Sequence, residues 1–328
     1  MTKTFVTTIL LLLASAHIAN AAETGVEYRI VNHPTFYFIN YEWKDDVVAG
    51  QTHFGLNLRS FVEVTNESVI VEIGFYAQRK FGDKEIEGVL SPWVKIILSP
   101  CSSCQFNLGT IDPDHQVHRA LISAERRFVF DPEEGFQFKW SRLLHRGDFW
   151  LNWKERETKS QAESFEVGVA VAVEMPYFHL KMDGIAHHID GQLTTDKTSL
   201  RNNILVAGGG PSYQFEAFRA RMGFQAFESS YLLNDLPKVS GDGREGYAEI
   251  FFNSSKHQKF GLRYAEYKGA NFISRDGLKP YTLAYYSYVE FLVEKKVENL
   301  IDAGFKVRSE RFKSDYHSSQ EVFISAYF

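Results

Sequence analysis

The chain has 328 residues, a formal net charge of −5, 15% aromatic residues and two cysteines. The mild acidity argues against a nucleic-acid partner, and two cysteines are too few for a secreted protein built on disulfides. Beyond the N-terminus there is no stretch of 18 apolar residues that could form a spanning helix. A chain of this kind can cross a membrane only as a closed barrel, whose strands pair all backbone groups.

The N-terminus has the three parts of a secretory signal peptide. Lys3 supplies a positive charge, residues 5–13 are apolar, and Ala19-Asn20-Ala21 fits the small-x-small cleavage rule. The apolar run is shorter than the roughly 20 residues of a spanning helix, and no cysteine follows it as in a lipoprotein. We therefore predict a cleaved signal peptide over residues 1–21 and one domain over residues 22–328.

Alternation of apolar and polar residues with a period of two predicts β-strands along the whole mature chain. Near residue 166, for example, Phe165 and Val167 alternate with Glu166 and Gly168. About sixteen strands are predicted, within a range of 12 to 18. They cover residues 28–43, 52–64, 69–79, 91–98, 105–111, 135–142, 147–156, 164–175, 177–188, 203–214, 218–228, 246–254, 257–267, 281–294, 297–312 and 319–328.

The connections between these strands alternate in length. Odd-numbered connections such as 112–134 and 189–202 are mostly long, whereas even-numbered ones such as 65–68 and 143–146 are short. Short periplasmic turns and long extracellular loops are typical of outer-membrane barrels. The sequence therefore predicts an all-β fold, a transmembrane antiparallel β-barrel in the outer membrane of a Gram-negative bacterium.

The last predicted strand ends on an aromatic residue. Val322, Ile324 and Phe328 share one face of it, and Glu321 lies on the other. A terminal aromatic residue resembles the C-terminal assembly signal of outer-membrane barrels. The resemblance implies that Phe328 acts in assembly, with outer-membrane lipid and the barrel-assembly machinery as partners.

If the apolar residues face lipid, the residues of the opposite face line the lumen. Sixteen to eighteen strands leave an aqueous channel, and rings of charged side chains select the solutes that pass. We therefore expect a passive channel for small hydrophilic solutes, which is not an enzyme and needs no cofactor. The same charges could instead pair with one another and fill the lumen. The predicted pore-lining residues are His53, Arg59, Glu63, Glu72, Lys154, Arg156, Glu166, Arg219, Arg221 and Arg263.

The longest connection, Asp112 to Glu134, is the third long loop. It contains the chain's strongest helical pattern, His118 to Phe128, and ends in Asp131-Pro132-Glu133-Glu134-Gly135. Sixteen strands with such a third loop resemble the general porins. In that family the loop folds into the barrel, bears a short helix and an acidic Pro-Glu stretch, and sets the constriction.

The porin resemblance implies a homotrimer and a set of constriction residues. Two of them, Glu133 and Glu134, would face an arginine cluster such as Arg219, Arg221 and Arg263 across the pore. The constriction-loop residues that the resemblance implies are Arg126, Arg127, Asp131, Glu133 and Glu134.

An outer-membrane barrel enzyme acting on lipid or peptide is the second hypothesis. Asp183, His187, His188 and Asp190 lie close together near the predicted outer end of one strand. On a strand, Asp183 and His187 share one face while His188 and Asp190 share the other, so the four cannot converge without a bulge. A third hypothesis is a barrel with a plugged lumen that serves in adhesion, assembly or secretion.

Two further groups invite a chemical interpretation. Asp112, Asp114, His115 and His118 lack the spacing of a metal site, so no metal is predicted. The segment from Cys101 to Cys104 lies in a predicted periplasmic turn without the βαβ unit of a redox motif. In the oxidising periplasm, a local structural disulfide is the preferred interpretation.

Overall fold

The structure is a computed structural model that describes residues 25–44, 48–82, 89–129, 132–191, 194, 198–234, 236–255, 257–297 and 300–328. The predicted signal peptide and Asp131 lie outside the described residues. The signal peptide and its cleavage site therefore stay predictions.

Sixteen antiparallel strands form a closed barrel in which each strand pairs with its neighbours in the chain. The first and last strands close it, with Thr35 opposite Ser325. The predicted strand number is confirmed, and every predicted strand overlaps an observed one. The strands are β1 (Val26–Lys44), β2 (Ala49–Asn66), β3 (Val69–Lys80), β4 (Val89–Cys101), β5 (Cys104–Ile111), β6 (Glu133–Arg142), β7 (His145–Glu155), β8 (Glu163–Glu174), β9 (Phe178–Asp190), β10 (Leu200–Phe215), β11 (Phe218–Leu233), β12 (Val239–Ser255), β13 (Gln258–Ala270), β14 (Tyr285–Val297), β15 (Ile301–Phe312) and β16 (Asp315–Ala326).

The lengths of the connections follow the predicted parity with two corrections. Residues 313–318 were expected to form a long loop, but β16 begins at Asp315 and leaves a two-residue turn. Most of the expected loop 229–245 is strand, because the β11–β12 ladder continues to Tyr231 opposite Val239. Pairing with a neighbour, rather than local composition, decides where these strands end. At the opposite end of the barrel, a disulfide joins Cys101 and Cys104 across a short turn, with 5.1 Å between their Cα atoms.

The two faces of the strands differ as the alternation predicts. Outward side chains such as Phe224 and Leu262 are 78% and 49% exposed, as expected of a surface that contacts lipid. On the lumen face, Trp150 and Glu166 have no exposed surface. Such burial requires other groups to cover the lumen face, so this part of the lumen is filled.

Two long loops fold into the barrel and fill it. We call residues 112–132 the third loop, residues 271–284 the seventh loop, and the two together the plug. Leu121 and Leu278 are 0% and 2% exposed. Backbone hydrogen bonds join the loops, since Leu278 donates to the carbonyl of Arg119 and Ser123 donates to that of Asp276, both at 2.7 Å.

Amide side chains of the barrel wall hold the plug backbone. Gln78 Nε2 donates to the carbonyl of Phe128 at 2.6 Å. Asn202 donates through Nδ2 to the carbonyl of Ile273 at 3.1 Å and accepts from the backbone of Arg275 at 3.0 Å. Because buried backbone groups need partners, these contacts fix both loops at defined heights in the lumen.

The predicted helix from His118 to Phe128 is wrong over most of its length. Helix α1 covers only Arg126–Val129, and a 3-10 helix covers Lys279–Thr282 in the seventh loop. Before α1, the described residues of this segment form only a single helical turn, where the Ile122 amide donates to the carbonyl of His118 at 3.4 Å. The next amide, of Ser123, donates instead to the carbonyl of Asp276 in the seventh loop at 2.7 Å. No helix in the described part of the chain is long and apolar enough to cross a membrane.

Candidate active site

A dense ionic network anchors the third loop to the barrel wall. Arg126 donates through Nε to Glu133 at 2.6 Å and through both terminal nitrogens to Glu166 at 2.6 and 2.7 Å. Trp150 Nε1 donates to the same Glu166 at 2.8 Å. Bidentate guanidinium–carboxylate pairs are strong and directional, so this network holds α1 in one orientation.

His115 connects the network to a second carboxylate. Its two ring nitrogens lie 3.0 Å from Glu133 Oε2 and from Asp148 Oδ2, and its ring stacks on Trp150 with 3.8 Å between centroids. Burial lowers the pKa of His115, but the two carboxylates outweigh burial and raise the pKa above its ordinary value. His115 therefore links the third loop to β6 and β7, and its two carboxylate partners favour the protonated ring.

The predicted pore-lining residues mostly bond to other residues in the lumen. Lys154 lies 3.1 Å from Glu166, and Arg156 is exposed beyond the end of β7. The others pair as follows: His53 with Glu125 at 3.6 Å, Arg59 with His33, Glu63 with Arg29 at 2.7 Å, Glu72 with Trp93 at 2.7 Å, Arg219 with Gln214 at 2.8 Å, Arg221 with Glu174, and Arg263 with Glu245 at 2.9 Å.

The pairing that the porin resemblance implied across the pore is wrong. Glu133 bonds to Arg126 and His115 rather than to an arginine cluster. Glu134 is exposed, because it follows Glu133 on β6 and so occupies the other face of the strand. Arg127 lies 3.6 Å from Asp114, so the two neighbouring arginines of α1 have separate partners.

The two groups weighed for catalysis and metal binding are dispersed. Asp183 and His187 are buried on the lumen side of β9, whereas His188 contacts the outward ring of Phe165. In the third loop, the four side chains bond to different partners: Asp112 to Lys95 and Lys139, Asp114 to Arg127, His115 to Glu133 and Asp148, and His118 to Glu245.

Glu166, His187 and Asp276 bring one ligand atom each to within 4.8 Å of one another. The charges nearby do not suit a metal, because Lys154 Nζ lies 3.1 Å from Glu166 and 2.8 Å from Asp276. Arg126 bonds to Glu166 as well. An ammonium and a guanidinium thus already neutralise these carboxylates, and we interpret the cluster as part of the plug's ionic network.

A cavity of about 480 Å³, which we call the cationic chamber, borders the plug at His118, Arg119 and Tyr281. Arg146, Arg219 and Lys259 on its wall are each the second residue of a strand that follows a short turn. The chamber therefore lies at the short-turn end of the barrel, which is periplasmic in this fold. A second cavity of about 520 Å³ shares Arg146 and Lys181 with it.

The wall of the cationic chamber presents many more positive than negative side chains. The three carboxylates are Glu174, Glu249 and Glu290. The eight cationic side chains are Arg119, Arg146, Lys181, Arg219, Arg221, Lys259, Arg263 and Arg308. The chamber is therefore suited to an anionic ligand.

A histidine and a tyrosine meet on the same wall. His179 on β9 and Tyr247 on β12 are 5% and 7% exposed, and His179 Nε2 forms a hydrogen bond with the Tyr247 hydroxyl. The guanidinium carbon of Arg263 lies 5.0 Å from the centre of the Tyr247 ring. A phenol whose hydroxyl contacts an imidazole and whose ring faces a guanidinium is an arrangement that can support acyl transfer.

Sequence reasoning missed His179 and Tyr247. They are 68 residues apart and on strands that are not neighbours, so only the closure of the barrel brings them together. The sequence could have indicated only that His179 and Tyr247 lie on the lumen side of alternating strands, as Glu166 and Arg219 do.

Comparison with known sequences decides the family. The sequence model of the lipid A 3'-O-deacylase-type family matches residues 23–318. The chain belongs to this family. The expectation that the chain is not an enzyme is therefore wrong, because this family is named for an enzymatic activity. No curated protein sequence matches the chain.

Solved structures confirm the fold. A loop-deletion mutant of OmpT, an outer membrane protein of Vibrio cholerae, aligns with a TM-score of 0.56 at 10% identity, covering 93% of this chain and 100% of that one. An anion-selective porin from Comamonas acidovorans aligns with a TM-score of 0.55 at 10% identity, covering 92% and 100%. With the family match, this fold makes the protein a porin-like barrel of the bacterial outer membrane.

Proposed function

We propose that this deacylase-family barrel hydrolyses an acyl ester of lipid A in the cationic chamber, with Tyr247 as nucleophile and His179 as base. The family match over residues 23–318 carries the proposal. The geometry supports it through a nucleophile and a base in hydrogen-bond contact on a cavity wall, the arrangement expected of covalent catalysis.

In the first step, His179 Nε2 takes the proton of the Tyr247 hydroxyl as the phenolic oxygen attacks the acyl carbonyl carbon. A bond forms between that carbon and the Tyr247 oxygen, and the bond to the sugar oxygen breaks. The imidazolium of His179 then protonates the departing sugar oxygen. The products of this step are a free hydroxyl on the lipid and an acyl ester on Tyr247.

In the second step, His179 takes a proton from water, whose oxygen attacks the acyl carbon. The bond between that carbon and the Tyr247 oxygen breaks, the imidazolium returns the proton to the Tyr247 oxygen, and a fatty acid is released. Each step places negative charge on the carbonyl oxygen. Arg263, over the Tyr247 ring, and Arg221, which lines the same chamber, supply fixed positive charge for that oxygen. Such preorganised charge lowers the barrier to acyl transfer.

The experiment is a deacylation assay of the refolded mature protein with lipid A in detergent micelles, followed by mass spectrometry of the released fatty acid. Tyr247→Phe and His179→Ala should each lower the rate by about 10²–10⁴-fold, and Tyr247→Phe should abolish the acyl-protein adduct. The matched control is His188→Ala, whose ring lies on the outward face of the same strand. Full activity in Tyr247→Phe would exclude this site.

A diffusion channel for small hydrophilic solutes, with a homotrimer as its assembly, is the second candidate. It is supported by the shared fold with a protein described as an anion-selective porin and with a trimer form of OmpT, the latter with a TM-score of 0.55. The buried plug residues argue against it. Leu121 and Tyr281 lie inside the barrel and are 0% and 1% exposed.

A further inference from the structure

Three arginines meet at the periplasmic end of the cationic chamber. Glu174 at the end of β8 pairs with Arg221 and lies 4.0 Å from Arg146. Arg221 also lies 3.3 Å from Glu249. Arg219, two residues before Arg221 on the same strand face, donates to the amide oxygen of Gln214 at 2.8 Å. Among the described residues, no carboxylate oxygen lies within 4.0 Å of Arg219.

Some of the carboxylates that balance the remaining cations lie behind the chamber wall. Glu245, 2.9 Å from Arg263, and Glu310, 3.9 Å from Arg308, have no exposed surface. Arg308 also bonds to Glu290 of the chamber wall at 2.6 Å. Asp183, the partner of Lys181, is 1% exposed. A ligand in the chamber therefore meets eight cationic side chains and three carboxylates, while part of the compensating negative charge is hidden from it.

We propose that the arginine cluster Arg146, Arg219 and Arg221 is a binding site for a phosphate group that enters from the periplasm. A phosphate carries several acceptor oxygens in a geometry that matches the guanidinium fork, so one group can engage more than one arginine. The chamber of about 480 Å³ is within the range of small-molecule sites. This inference does not depend on the proposed hydrolysis.

The phosphate can belong to a soluble ligand or to the head group of a lipid. Isothermal titration calorimetry of the refolded mature protein in detergent, with pyrophosphate and with dihexanoyl phosphatidic acid as separate probes, distinguishes the two. Binding of both probes assigns the site to the phosphate group itself. Binding of the phosphatidic acid alone assigns it to a lipid head group, and binding of neither overturns the proposal.

Variants locate the site. Arg219→Gln should weaken binding at least tenfold, and Arg219→Lys, which keeps the charge without the fork, should give a smaller loss. The matched control is Arg59→Gln, because Arg59 lines a different cavity and also has no carboxylate oxygen within 4.0 Å among the described residues. Equal affinity in Arg219→Gln and the wild type, or an equal loss in Arg59→Gln, would overturn the assignment.

A last variant separates binding from catalysis. Tyr247→Phe should bind the same probes with unchanged affinity, because the cluster does not use the Tyr247 hydroxyl. If this variant binds normally and the wild type does not deacylate, the phosphate site stands and the hydrolase proposal fails. A tenfold loss of binding in Tyr247→Phe would place the phosphate elsewhere in the chamber and would overturn the assignment to the arginines.

Discussion

At the scale of the residue, His115 shows how the lumen stabilises a charge without bulk water. The ring is buried, yet it lies between the carboxylates of Glu133 and Asp148 and against Trp150. A buried charge is tolerated when it is paired and hydrogen-bonded. His115 therefore contributes most to the attachment of the third loop while it carries its proton, because the neutral ring can donate to only one of the two carboxylates.

The raised pKa of His115 makes that attachment depend on pH. A group whose folded pKa exceeds its unfolded value stabilises at low pH, and the contribution is lost as pH rises through the folded pKa. We expect hydrogen exchange of residues 112–129, corrected for intrinsic rates, to show easier opening as pH rises above about 6.5. His115→Gln should remove this dependence, and an unchanged pH profile in that variant would assign the effect to other groups.

At the scale of the element, the strands were predictable and the plug was not. In strands such as β8, large apolar residues alternate strictly with small or charged ones. Because one face of such a strand is buried, a shift by one residue is unfavourable, and the register is fixed. The third loop carries the spacing of an amphipathic helix, but two of its backbone donors, the amides of His118 and Ser123, bond to Asp183 and to Asp276 of another loop. Such partners are distant in sequence, so local periodicity gives no information about them.

The contact between His179 and Tyr247 in the candidate site, like the packing of the plug, joins residues that are distant in sequence. The residue types and their lumen-facing positions could be read from the alternation, but their contact depends on the relative register of four strands. The general charge of the lumen was therefore predictable, while the individual partners of Arg126, Arg221 and Arg263 were not.

Because the two plug loops pack on each other, damage to one should loosen the other. Leu278 in the seventh loop is 2% exposed, and truncation of a buried leucine costs about 2–5 kcal/mol. Leu278→Ala should speed hydrogen exchange of residues 112–129 in the third loop. The control, Leu236→Ala, alters a leucine that is 59% exposed and should leave that exchange unchanged. Protection of residues 112–129 in Leu278→Ala equal to wild type would mean that the loops open independently.

At the scale of the whole molecule, the plug fills part of the lumen, and the cationic chamber lies between the plug and the short-turn end of the barrel. The described residues place apolar side chains in the lumen, where a diffusion channel needs water. The cavities of about 480 and 520 Å³ lie below the plug. This arrangement suits a ligand that enters and leaves through the periplasmic end of the barrel.

Single-channel recording in a planar bilayer tests this description. The refolded wild type should show little or no stepwise conductance. Replacement of residues 114–129 by a short Gly-Ser linker should produce stable conductance steps, because it removes the third loop from the lumen. Large, stable steps in the wild type would show a continuous water path and would restore the diffusion channel as the leading function.

The seam between β1 and β16 sets the order in which the molecule can be completed. Thr35 and Ser325 are 290 residues apart and share a hydrogen bond between their hydroxyls, and the backbone of Phe328 exchanges two hydrogen bonds of 3.0 Å with Asn32. Contacts between such distant residues form slowly, because the intervening chain must first be ordered. Until the final strand arrives, β1 has an unpaired edge, which invites pairing with other chains. The same two edges that finish the barrel are thus its main hazard during assembly, and the chain most needs protection from aggregation until Thr35 and Ser325 pair.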